Sequence, residues 1–85
     1  MTKRNKIIDR LLSRPKDFTY DELVSLLKIF GYEEAKTGKT TGSRRAFILK
    51  TKGHIIRLHK PHPGNVLRIY QIDFIIGELK KENLL

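Results

Sequence analysis

The sequence has 85 residues, 39 % of them hydrophobic, including four Phe and three Tyr. That supports one modest core, burying about 60–65 % of the unfolded chain's surface, and excludes both wholesale disorder and a second domain. The absence of cysteine excludes disulfides, a thiol nucleophile and thiolate zinc sites, and no apolar run approaches the roughly 18 residues of a membrane span, so the expectation is a cytoplasmic protein with no membrane contact. The net charge is +9, from 18 Lys and Arg against nine Asp and Glu.

Residues 6–12 place apolar side chains at i, i+1, i+4 and i+5, one stripe of a short helix that Arg14-Pro15 ends. Thr19 and Glu22 form a Thr-x-x-Glu capping box, with Phe18 and Leu23 at the staple positions. Leu23, Leu26, Leu27 and Phe30 then line the inner face of a second helix, and Gly31 supplies its left-handed stop. Beyond Gly31 the period falls to two. Residues 32–37 read as a weak strand, 43–51 and 54–59 as better ones joined by a two-residue Lys52-Gly53 turn, with a flexible polar loop at 38–42. Pro61 and Pro63 break the chain, and Ile69, Ile72, Ile75, Ile76 and Leu79 mark a last amphipathic helix ending at Lys80 and Lys81. The expected fold is α+β, in the order α-α-β-β-β-α, a three-stranded antiparallel sheet with helices on one face. It forms a single domain over 1–85, with an N-terminal helix in 1–16 and a main unit over 19–83.

Burying Phe47 and Leu49 together with Ile56 and Leu58 across that turn puts Phe47 opposite Leu58 and Leu49 opposite Ile56. The uncovered face then carries Arg44, Ala46, Ile48 and Lys50 beside Ile55, Arg57 and His59, with His59 opposite Ala46 and diagonal to Arg44. The charge falls in the same place. Residues 35–72 hold nine basic residues, all three histidines and no acid, while the rest of the chain holds nine basic and nine acidic residues. A one-sign surface of this kind attracts polyanions.

Gly42-Ser43-Arg44-Arg45-Ala46-Phe47, the stretch 53–59, Pro61-His62-Pro63 and the helix from Ile69 resemble the HicA toxin family. The likeness covers roughly residues 20–83. It implies a double-stranded-RNA-binding-domain-like fold and an mRNA interferase, the toxin of a type II toxin–antitoxin system restrained by a HicB-like antitoxin. The family's Gly-Ser-His-x-x-Phe signature carries the catalytic histidine. Here Gly42, Ser43 and Phe47 match it, and the histidine position is Arg44. An arginine stays charged at neutral pH and is no general base. The family also tends to carry a histidine shortly after the third strand, to which His59 or His62 corresponds.

Cleaving RNA without a metal requires a base for the 2′-hydroxyl, an acid for the leaving oxygen and cations around the phosphorus. Histidine performs either proton transfer and arginine the last task. The catalytic candidates are therefore His59, Arg44 and His62, and the RNA-binding candidates Lys39, Arg44, Arg45, Lys50, Arg57 and Lys60. His54 has the buried-face parity of a structural residue. The 38–42 loop lacks the spacing of a nucleotide-binding loop, and with no acid in 35–72 the histidines make a weak metal site, so neither cofactor nor metal is expected. Tyr70 and Phe74, four apart, either pack beside the core or stack RNA bases. Three readings follow: an RNA-cleaving toxin, a non-catalytic RNA-binding module on the same fold, or a structural subunit that binds an acidic protein through its charge. The start of the last helix, Leu67-Arg68-Ile69-Tyr70, lacks the lysine cluster of ordinary duplex-RNA binders.

Overall fold

The computed structural model describes residues 3–35, 44–61 and 64–85, with side chains from residue 6 onward and Arg44 through its backbone alone. Its elements run α1 (Lys3–Leu12), α2 (Tyr20–Ile29), β1 (Glu33–Ala35), β2 (Arg44–Leu49), β3 (His54–His59) and α3 (Ile69–Lys81). The strands form one antiparallel sheet in the order β1-β2-β3. The architecture is therefore α+β in the expected order. Lys36, Lys39 and His62, and the loop at 38–42, lie outside the described residues.

Each helix has a local cause. At α2 the hydroxyl of Thr19 accepts from the Glu22 N–H at 3.1 Å, while the Glu22 carboxylate accepts from the Thr19 N–H at 3.0 Å. Together they satisfy two N-terminal donors that the helix itself leaves unpaired. The helix closes with Gly31 at φ 99°, the Gly31 N–H on the Lys28 carbonyl and the Tyr32 N–H on that of Leu27. A Cβ at Gly31 would stand 3.3 Å from Leu49, so the turn presses directly on β2. α1 starts three residues earlier than the apolar stripe suggested. It ends at Leu12 because Arg14, at φ 51°, turns left-handed before Pro15.

Leu23, Leu26 and Leu27 of α2, Ile72, Ile75 and Leu79 of α3, and Leu11 of α1 are buried together against Phe47, Leu49, Ile56 and Leu58 of the sheet. Each such side chain contributes about 1.5–3 kcal/mol relative to exposure. Leu11 makes α1 part of this one core, and Arg10 fastens it further, reaching Glu22 at 2.6 Å and Asp17 at 3.0 Å.

The hairpin register departs from the expectation. Phe47 pairs with Ile56, Leu49 with His54, and Ala46 with Arg57, a shift of two residues. β2 ends at Leu49 rather than at 51, and the connection is the four residues 50–53, with the Lys52 N–H on the Leu49 carbonyl and Gly53 at φ 67°. A two-residue slip returns every side chain to the same face, so the division into inner and outer residues survives. What changes is the neighbour of His59, which faces Arg44 directly instead of Ala46. The longer turn also brings His54 opposite Leu49 on the inner side, where it meets Tyr32 and Glu78.

Candidate nucleic-acid interface

The outer face of the sheet is built by β2 and β3. Strand alternation alone sets its members: Ile56 and Leu58 turn into the core, so Ile55, Arg57 and His59 turn out and are exposed. Ala46 and Ile48 lie alongside, half-buried. Arg44 is the register partner of His59, and directly opposed residues have Cβ atoms about 4.5–5.5 Å apart. Arg57 stands two residues along the same face, and among the described residues no carboxylate lies within ion-pair distance of it.

The remaining candidate cations are disposed differently. Lys50 reaches Glu33 at 3.1 Å across the sheet, an exposed and solvent-screened pair that leaves it available to an anion. Arg45 falls on the opposite parity, level with Leu58, and lies 3.6 Å from Glu34. Lys60 extends over the Tyr20 ring at 5.3 Å. These two therefore gather around Tyr20, whose hydroxyl donates to Glu34 at 2.6 Å. Burial and then the Glu34 carboxylate push that phenol well above its ordinary range. The expected RNA surface is thus two clusters, Arg57, His59 and Lys50 on the outer face and Arg45 with Lys60 at the end of the sheet beside Glu34.

His54 belongs to neither cluster. Its Nδ1 meets the Tyr32 hydroxyl at 2.6 Å, its Nε2 meets Glu78 at 3.1 Å, and Lys81 completes the chain on Glu78 at 2.9 Å. Lys81 first, and His54 after it, hold the Glu78 carboxyl below its usual value against the opposing effect of burial. Burial, aided by the charges of Glu82 and Glu78, raises the Tyr32 hydroxyl to about 12. Among the described residues no group of three His, Asp or Glu side chains is arranged to hold a metal.

No protein-family model, curated protein or solved structure matches this chain.

Sequence reasoning missed the residue that ties the face to the last helix. Gln71, 9 % exposed, accepts from the Arg68 N–H at 3.0 Å and donates its amide to the His59 carbonyl at 2.8 Å. One side chain thereby caps α3 and fixes its first turn to the end of β3. Beside that clamp Arg57, Leu58, His59, Tyr70, Gln71 and Phe74 line an open groove of about 280 Å³. A glutamine at the third position of a helix was the available signal, but its second partner, 12 residues away, leaves no trace in local spacing. No helix among the described residues is long and apolar enough to cross a membrane.

Proposed function

We propose that this chain binds RNA on the outer face of its sheet and cleaves it, as a HicA-like mRNA interferase whose partner is a HicB-like antitoxin. The observation that carries the reading is the pairing of Arg44 with His59 across β2 and β3, with Arg57 on the same face, inside a stretch of sequence that has no acid. His59 is the proton acceptor. The 2′-oxygen attacks phosphorus, its proton passes to the imidazole, and the bond to the 5′-oxygen breaks, leaving a 2′,3′-cyclic phosphate and a 5′-hydroxyl. Arg44 and Arg57 balance the charge that gathers on the phosphoryl oxygens. The departing oxygen takes its proton from solvent; His54, engaged with Tyr32 and Glu78 on the inner side, is not placed to supply it.

The test is RNA binding and cleavage by the purified chain. Affinity for single-stranded RNA should fall steeply between about 50 and 200 mM salt, and each arginine changed to Ala at 44 and 57 should flatten the salt slope by about one. Salt-independent binding indifferent to both changes overturns the reading. A specific observation favours a second reading, a binding module without cleavage: position 44 is arginine where the family's motif has histidine, and His59 is the one histidine on the outer face among the described residues. Wild-type protein that binds RNA and releases no cyclic-phosphate product would decide for it.

A further inference from the structure

Tyr70 is 62 % and Phe74 43 % exposed, two aromatic rings one helical turn apart on the solvent side of α3. Both border the groove that Arg57 and His59 share. Between them in sequence, Gln71 is turned inward and clamps the helix to the His59 carbonyl, so the first turn of α3 is held at a set position beside β3. Asp73, the one acid in this part of α3, is occupied by Arg14 at 2.7 Å, so it does not repel a polyanion there as a bare carboxylate would.

We propose that this groove is a stacking subsite for an unpaired base of single-stranded RNA, seated on Tyr70 and Phe74 while the adjoining phosphate lies on Arg57. The inference rests on the RNA-binding reading above and adds which form of RNA the site takes. Every base has a flat π-face, so aromatic platforms bind single strands with little regard to sequence. A base inside a duplex is already stacked on both sides and offers only its phosphates. Charge complementarity narrows the occupant to an anion, because no acid falls between residues 35 and 72 and the wall contributed by β3 attracts acidic groups of any kind; a nucleotide is the anion that carries a flat ring beside its charge in every unit.

The experiment compares the wild type with the Tyr70→Ala/Phe74→Ala double variant, both checked for an unchanged fold by circular dichroism. The probes are a 12-nucleotide single-stranded RNA, its duplex and an abasic strand of equal length, the chosen length being of the order of one single-strand binding site. The double variant should lose roughly 5- to 150-fold in affinity for the single strand, with an unaltered salt slope. Duplex and abasic binding should stay within a few fold of the wild type. Because the chain has no tryptophan, Tyr70→Trp gives a clean reporter whose fluorescence the single strand should quench and the duplex should not. A wild type that binds none of the probes removes the RNA reading itself. Salt-dependent binding that the double variant retains within twofold, or loses equally for all three probes, overturns the stacking subsite and leaves the RNA reading standing.

Discussion

Changing Tyr32 to Phe removes one oxygen and leaves the ring in place, which isolates a single hydrogen bond. Tyr32 is 1 % exposed and its hydroxyl is 2.6 Å from His54 Nδ1. Its loss strands a half-buried nitrogen, at about 1–3 kcal/mol, and about 4–8 °C of melting temperature for each kcal/mol in a chain of this size. The pH dependence makes the prediction sharper. The folded value of Tyr32, about 12, lies above the ordinary 10, so between those values the folded state holds more protons than the unfolded one. The contribution is therefore complete below pH 10 and disappears as the pH rises through about 12, a change on the order of 2–3 kcal/mol. Urea unfolding of both proteins at intervals from pH 8 to 12, followed by circular dichroism, reads the difference and cancels the lysines and Tyr20, which both share. The wild type should lead at pH 8, and the lead should shrink to nothing or reverse by pH 12. A difference that stays constant across that range would refute the reasoning.

Replacing His59 with Ala or Gln should leave the melting temperature almost unchanged, since an exposed strand-end substitution costs under about 0.5 kcal/mol, while reducing RNA cleavage by about 10²–10⁴-fold. Full cleavage by that variant, with loss on changing His62, would move the chemistry to the proline segment. Arg14→Ala keeps a left-handed backbone and loses an exposed pair to Asp73, whereas Arg14→Gly loses the pair and relieves the backbone; the Gly variant should be the more stable by about 1 kcal/mol in denaturant titrations. Glu22, held below its usual value chiefly by the Arg10 hydrogen bond, lends stability that is present above pH 4.5 and lost as the pH falls through its lower folded value. Glu22→Gln should therefore flatten the acid limb of the stability curve. An antitoxin that masks the cations should protect the outer face from hydroxyl-radical footprinting at 55–59; protection confined to α1 would count against it.

The parts of this fold that were legible in the sequence are those written in neighbouring residues. Thr19, Glu22 and Gly31 announce both ends of α2 within 13 positions, because capping is chemistry between residues three or four apart. The facing of Phe47, Leu49, Ile56 and Leu58 was legible for a similar reason, since alternation fixes which side a residue takes. Their partners were not. Registers two residues apart bury the same side chains, so hydrophobic pattern has no power to choose between them, and the choice fell to a four-residue turn and to His54 seated between Tyr32 and Glu78. Arg45 shows the same limit at the candidate site. Its charge was evident, but its place beside Glu34 follows from sheet parity and from β1, a strand whose described part is only three residues long.

The amide of Gln71 on the His59 carbonyl also bears on how copies of this protein meet one another. β3 is an edge strand, and an edge offers its unpaired backbone groups to any extended chain that drifts alongside. Here the terminal carbonyl of that six-residue edge is already spoken for, which shortens the template available to an incoming strand. Two copies aligned antiparallel about Arg57 would also bring like charges together at the middle of the new ladder. Colloidal behaviour is thus shaped by the residues proposed for recognition: a strand that is short and cationic is, by the same chemistry, a poor seed for fibres.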